Sequence, residues 1–387
     1  MADLALDGVR VIDLTSHLSG PYCSMILADH GADVIKVERQ GAGDDARRMP
    51  PFIAGESAPF MLFNRNKRSI ALDLKDERDR DLCRALARDA DVFLENFTPG
   101  VADRLGLGYG ALAAVNPRLV YCSISGFGQT GPYRERGGFD LMVQAMSGLM
   151  SVNGPEDGPP HRLPVAIADI GAGMFAAIGI LAALQARERT GRGQQVDTSL
   201  YDTAVSFGVY EAAHLFATGE PPPRIGQAHR GSAPYQVFRT ADGWLTIGAA
   251  TQTIWLRLCE VIGRADLARD PRFKDNAARI ANRAALAALL QEVLAQEPTA
   301  IWAERLGAAG IPVGPVQTYD QVFADPQVVA REMVAEIDHP AAGAMRILGI
   351  PVKLSETPGA LRRPAPRLDQ HGAEIRAELR ARQERDS

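Results

Sequence analysis

Gly8-Val-Arg-Val-Ile-Asp-Leu14 and Gly31-Ala-Asp-Val-Ile-Lys-Val37 are two β-branched runs separated by a helical stretch, and that alternation decides the fold class. Between them, Pro21–His30 carries apolar residues at helical spacing, with Gly20 and Gly31 marking its ends. Working outward, the same rhythm places strands at Val9–Leu14, Asp33–Val37, Ile70–Leu74, Asp91–Asn96 and Leu119–Ser123, with a second helix at Glu77–Ala90. Strands that alternate with helices build βαβ units and a parallel sheet, so the expected fold is α/β, an open, doubly wound, Rossmann-like sheet.

Ile167–Ala186 reads as one long helix, apolar nearly all round and therefore expected to be deeply buried. It closes on the cationic stretch Arg187-Glu-Arg-Thr-Gly-Arg-Gly193, in which glycine follows the last turn. Past Pro221-Pro-Pro-Arg224 the character changes, and Asp242-Gly243 between Tyr235–Arg239 and Trp244–Ile247 signals a hairpin. Helices around Ile254–Ile262 and Arg283–Ala295 follow, and Trp244, Trp255 and Trp302 suit the core of that region. The expected organisation is a large α/β domain over residues 1–200, completed by about 345–387, and a smaller α+β domain over 226–330. Residues 201–225 and 331–344 serve as the linker and the return linker, and Arg376–Ser387 as a charged terminal helix.

The chain has 387 residues, 46% of them hydrophobic, and a formal net charge of -5, with no dense basic run, so a nucleic-acid partner is not expected. The opening Met1-Ala-Asp-Leu-Ala-Leu-Asp7 lacks the features of a secretory signal, and the apolar stretch Gly171–Gln185 is shorter than a membrane span needs. A soluble, cytoplasmic protein without a membrane partner is the expectation. Cys23, Cys83, Cys122 and Cys259 form no C-x-x-C pair, and the histidines other than His17 show no metal-ligand spacing, so buried thiols and no metal site are expected.

The turn after the first strand reads Thr15-Ser-His-Leu-Ser-Gly-Pro21, without the G-x-G-x-x-G of a dinucleotide site. No P-loop, G-x-S-x-G elbow or H-E-x-x-H stands elsewhere. Asp169 draws attention as the only acid between Asp157 and Glu188, at the start of a helix rich in glycine and alanine. A helix N-terminus would keep its carboxylate ionised, and Gly171 and Gly173 would let an acyl group approach backbone N–H donors. The spacing suits acyl transfer to a carboxylate. It suits equally an aspartate that does no more than cap its helix.

Several ordered stretches resemble the class III CoA-transferases of the CaiB/BaiF type. They include Gly8–Thr15, Ser19-Gly-Pro21, Gly31–Arg39, Gly41-Ala-Gly-Asp-Asp45, Asn64–Lys75, Glu95-Asn-Phe-Thr-Pro-Gly100, Ser125–Tyr133, Ala168-Asp-Ile170 and Thr190-Gly-Arg-Gly-Gln194. The resemblance runs essentially end to end and shifts the balance from a capping Asp169 to a nucleophilic one. It implies that Asp169 attacks an acyl-CoA thioester, giving a mixed anhydride and then an aspartyl-CoA thioester, which an acceptor acid reverses. It places CoA against His17, Leu18, Ser19, Arg39, Leu72, Lys75, Asn96, Phe97, Arg104 and Leu105. It further implies an interlocked homodimer, acyl-CoA and a small carboxylic acid as partners, CoA thioesters as substrates, and no permanently bound cofactor.

A relative of the same fold, α-methylacyl-CoA racemase, moves a proton with a histidine in a Gly-His-Asp stretch. Here that stretch is Gly138-Phe-Asp140, and phenylalanine cannot exchange a proton, so an isomerase or racemase stands second and a noncatalytic CoA-binding protein third. Asp140 either supports the site or caps the helix from Leu141. Leu18 stands where formyl-CoA transferases carry glutamine, and their glycine-rich loop is missing, so formyl-CoA and oxalate are poor candidates. Gly231–Gly243 and Gly148–Gly158 look closer to enzymes of succinyl- and glutaryl-CoA. A succinyl-CoA to dicarboxylate transferase is the leading expectation, and a second carboxylate would need a cation, for which Arg47, Arg48 and Arg230 are candidates.

Overall fold

A computed structural model describes residues 4–386, which divide into two compact units. The first takes in the chain up to Leu149, Leu163–Ala213 and the stretch from Pro326. The second takes in Met150–Arg162 and His214–Asp325.

The first unit is built on β1 (Arg10–Asp13), β2 (Asp33–Arg39), β3 (Lys67–Leu72), β4 (Val92–Glu95), β5 (Val120–Ser125) and β6 (Gln195–Ser199). Their order is β3-β2-β1-β4-β5-β6 and every neighbouring pair is parallel. This is the doubly wound order, with its switch point between β1 and β4. Register explains why the runs read so plainly. Val11 lies opposite Val34 and Val92 and faces one core, while Ile12 lies opposite Ile35 and Phe93 and faces the other. The first core is closed by α1 (Ser19–Asp29) and the second by α2 (Glu77–Arg88). The sheet's sixth strand, β6, escapes the sequence reading because Gln195-Val-Asp-Thr-Ser199 is polar and lies at the sheet edge.

Beyond β5 come α3 (Asp140–Met146) and the long α4 (Ile167–Thr190), which ends at Gly191 with φ of 70°. Its 24 residues make it long and apolar enough to cross a membrane by length and composition. It is not buried all round. Ala168, Ala172, Ala176 and Ile180 form a stripe in the first core, while Met174, Phe175, Ile178 and Leu181 are 41–59% exposed. Small residues on one side let α4 lie close to α1, and large ones are left on the other. The stretch expected as a linker carries α5 (Leu200–Ser206) and α6 (Val209–Thr218).

In the second unit β7 (Tyr235–Arg239) and β8 (Trp244–Gly248) form the expected hairpin, joined by β9 (Val313–Pro315) on the far side of β8. Around it pack α7 (Gln252–Val261), α8 (Arg283–Leu294) and α9 (Thr299–Ala308). Trp255 and Trp302 are buried as expected, but Trp244 is 47% exposed. The two-residue strand period sends Leu245 and Ile247 inward and turns Trp244 out. In the first unit, β10 (Val334–His339) begins inside the expected return linker and pairs with β11 (Gly343–Leu348). The chain closes with α10 (Gly372–Asp386). All four cysteines are buried and unpaired.

Candidate functional site

The carboxyl ends of β1–β4 meet at the switch point, and a buried charge network fixes the turn there. Asp13, fully buried, accepts the Thr15 N–H at 2.9 Å and the hydroxyls of Thr15 and Ser24 at 2.5 Å. Lys36 Nζ reaches the Thr15 carbonyl and Asp44, both at 2.8 Å, and Asp44 accepts the His17 N–H at 3.0 Å. Lys67 Nζ donates to the Pro21 carbonyl at 2.9 Å and Asn64 at 2.8 Å, with Asp13 at 3.4 Å. Burial alone would raise the Asp13 carboxyl, but Lys67 and Lys36 outweigh it and hold it below its usual range. For Lys67 burial prevails over Asp13 and brings the ammonium down to about 8. The sequence reading passed over this network, although a lysine inside the apolar strand Val34-Ile-Lys-Val37 was a visible sign of it.

Beside this turn opens a cleft of about 670 Å³. Arg39, Leu72, Lys75, Phe97 and Leu105 line it together with Thr15 and Ser16, so five of the residues assigned to CoA share one wall. Asn96 joins the two sides of the switch point, accepting the Ser16 N–H at 2.9 Å and donating to the Ser16 carbonyl at 2.8 Å. His17, Leu18 and Ser19 continue from Ser16 into α1. His17 holds φ of 64° and sets its ring edge-on to Phe139 at 6.3 Å. Arg104 precedes Leu105 in the short helix Val101–Arg104 but is not part of the lining.

Asp169 occupies the third position of α4, where its carboxylate is hydrogen-bonded to Ser19. It does not cap the helix: the cap position is Ala166, with no side-chain bond. Nor does the helix end keep it strongly acidic. Burial pushes the carboxyl up to about 6, the nearby Asp140 adds to the push, and Ser19 opposes it. Gly171 and Gly173 do not open the backbone to a substrate. A Cβ on Gly173 would stand 2.5 Å from the Ser19 carbonyl, and one on Gly171 would stand 2.5 Å from the Phe207 ring. They are there to seat α4 against its neighbours.

Asp140 is itself the first residue of α3, so it does not cap that helix from outside. Its carboxylate accepts the Ala168 N–H at 3.0 Å and a Gln144 amide proton at 2.7 Å, which makes it the cap of α4. Of the three arginines considered for a second carboxylate, Arg47 is already committed. Both its Nε and an Nη bond to Glu38 at 2.7 Å, the Pro366 carbonyl takes a further proton, and Phe60 stacks beneath it at 3.8 Å. Arg48 is exposed, 3.4 Å from Asp45. Arg230 lies in the second unit, donating to the Pro223 carbonyl at 3.0 Å. Among the described residues, no group of His, Cys, Asp and Glu side chains is placed to hold a metal ion.

The family model described as CoA-transferase family III matches residues 6–372. Acetyl-CoA:oxalate CoA-transferase of Acetobacter aceti is 44% identical over 97% of this chain and 96% of its own. Succinyl-CoA:glutarate CoA-transferase of Mus musculus is 41% identical over 97% and 86%. Among solved structures, a CAIB/BAIF family protein from Brucella suis superposes with a TM-score of 0.88 at 43% identity, covering 97% of this chain and all (100%) of that one. With its doubly wound sheet and a match from end to end, the chain belongs to CoA-transferase family III and is a CoA-transferase.

Proposed function

We propose that the protein moves CoA from succinyl-CoA, or a related dicarboxylyl-CoA, to a dicarboxylate, with Asp169 as the covalent relay. The observation that carries this reading is the bond between Asp169 and Ser19, which ties the carboxylate to the turn bordering the cleft. An Asp169 oxygen attacks the thioester carbonyl, the C–S bond breaks, and the thiolate leaves a mixed anhydride behind. The thiolate then attacks the aspartyl carbonyl, releasing the donor acid and forming an aspartyl-CoA thioester. The acceptor carboxylate runs the same two steps in reverse. With its carboxyl near 6, Asp169 is mostly ionised at neutral pH and yet more basic than an ordinary aspartate.

A dicarboxylate acceptor is supported by the activities for which relatives are named: succinyl-CoA:glutarate, succinyl-CoA:mesaconate and acetyl-CoA:oxalate CoA-transferases. Oxalate, set aside on Leu18 and the absent glycine-rich loop, returns to the panel for the last of these reasons. Of the cations considered for the distal carboxylate, Arg48 is the one that lies in the unit holding Asp169 and is not committed as Arg47 is. Racemase chemistry is disfavoured by Phe139, 63% exposed and unable to carry a proton. A homodimer is supported by the exposed apolar face of α4, where Phe175 stacks on Phe207 at 6.3 Å and Ile178 is 59% exposed.

The test is mass-spectrometric detection of CoA exchange from succinyl-CoA to a panel of mono- and dicarboxylates, with Asp169→Ala alongside. New acyl-CoA species in the wild type alone establish the relay and name the acceptor. If no acid gains CoA and labelled succinate does not exchange, the succinyl-CoA assignment fails. Deuterium exchange at the α-carbon without an acceptor would instead favour the isomerase. A monomer on gel filtration would remove the dimer.

A further inference from the structure

Glu95 ends β4 immediately before Asn96 and Phe97, and only 4% of it is exposed. Its carboxylate accepts the Phe97 N–H at 2.8 Å and the Ser123 hydroxyl. Phe97 lines the large cleft, while Asn96 clamps Ser16 across the switch point. Segment 96–105 is thus a wall. Phe97 and Leu105 face the cleft, and Gly100, Ala102 and Asp103 face a second cavity of about 200 Å³ that Glu95 itself lines.

We propose that Glu95 is a positioning residue for acyl-CoA, its ionised carboxylate fixing the Phe97 backbone, and with it the aromatic wall and the Asn96 clamp, in the receiving orientation. The proposal rests on the reading of the large cleft as the CoA site.

Among the described residues no lysine, arginine or histidine pairs with Glu95. The groups that face it are Ser123 and the Tyr121 phenol of β5, Asp197 of β6, and Asp103 of the wall, while the Cys122 thiol lies on the opposite face of the sheet. Burial, reinforced by Asp103 and Asp197, pushes its carboxyl up to about 7 against the two hydrogen bonds. A hydrogen bond from Phe97 to the carboxylate is charge-assisted, and one to the neutral acid is not. Protonation therefore loosens the wall, and affinity for CoA declines as the pH falls through about 7.

The experiment is calorimetric titration of CoA into wild type, Glu95→Gln, Glu95→Ala, Arg39→Ala and Phe97→Ala across the neutral range, with kcat at saturating acyl-CoA. Glu95→Ala binds about tenfold more weakly at neutral pH and above, the scale of one hydrogen bond to a charged group, while kcat stays within about twofold. Glu95→Gln keeps an acceptor for Phe97 and loses the inflection near 7, leaving the titration of the ligand's own phosphates, near ~6. Identical pH profiles in wild type and Glu95→Gln overturn the proposal, as does a natively folded Glu95→Ala that binds like wild type. If Glu95→Ala does not fold, the Glu95→Gln profile decides alone. Unchanged binding in Arg39→Ala and Phe97→Ala would show instead that CoA lies elsewhere, and both readings would fall together.

Discussion

The Asp140 carboxylate accepts the backbone N–H of Ala168 at 3.0 Å, so the helix that carries Asp169 takes its cap from a side chain on another helix. One acid thereby orders the helix and, by its charge, makes the next harder to ionise.

The turnover number should follow the ionised fraction of Asp169, falling as the pH drops through about 6 and levelling above it. Asp140→Asn retains an amide oxygen for Ala168 but removes the like charge, which should move the inflection to lower pH. A pH–rate profile of kcat for both proteins checks this, and an unmoved inflection would break the coupling.

Asp169→Asn should abolish turnover and make the protein more stable at neutral pH. The folded carboxyl is raised to about 6 from an ordinary 3.8, so the native state binds this proton more tightly than the unfolded chain does. That stabilisation is complete below the unfolded value and is lost as the pH rises through about 6, beyond which the buried charge costs stability. Removing it should gain about 1–3 kcal/mol at pH near 7, with the gain vanishing in acid. Denaturant unfolding at the two pH values measures the difference.

Gly173→Ala should lower stability by ~1–3 kcal/mol, because its methyl would meet the Ser19 carbonyl at 2.5 Å. Since Ser19 is bonded to Asp169, kcat should fall as well. Gly110→Ala, whose added methyl meets nothing within 4 Å inside the helix Tyr109–Val115, serves as the comparison and should leave stability unchanged or raise it by up to about 1 kcal/mol. Thermal unfolding and steady-state kinetics read both effects.

Lys36→Met should cost about 3–5 kcal/mol, since it strands the Asp44 carboxylate in a site where both side chains are 0% exposed. The double variant Lys36→Met/Asp44→Asn should recover part of that loss by removing the unpaired charge. A double-mutant cycle in denaturant gives the coupling, and strict additivity would deny it.

The sheet was legible where physics leaves a local mark. A strand covered on both faces is largely apolar, and Val9–Leu14 and Asp33–Val37 show it, with the buried Asp13 and Lys36 as exceptions partnered within the charge network. What could not be read depends on partners distant in the chain. Gly171 and Gly173 look like an opening until Phe207 and Ser19 are found against them. Asp140 announces nothing of Ala168, 28 positions away, and even Arg47 looks available for a substrate until the chain folds it back on Glu38, nine positions before it. The long apolar helix misled for another reason: hydropathy counts side chains without knowing that alanine packs one flank while Phe175 and Ile178 are left on the other. The assigned CoA residues came from resemblance, and the gathering of five of them around one cleft has its physical basis in the switch point, where the loops after β1, β2, β3 and β4 converge.

His17 occupies, at φ of 64°, a left-handed position of the kind that glycine fills in a dinucleotide-binding turn. Glycine there lets pyrophosphate settle on bare peptide N–H groups, whereas here the N–H groups of Thr15, Ser16 and His17 are already donated to Asp13, Asn96 and Asp44. A phosphate entering this cleft is left to the exposed side chains of Arg39 and Lys75, charges that mobile ions can shield. Grip on such a ligand should accordingly slacken as salt shrinks the screening length from ~10 Å at 0.1 M to ~3 Å at 1 M, while the apolar walls Leu72, Phe97 and Leu105 keep their share undiminished.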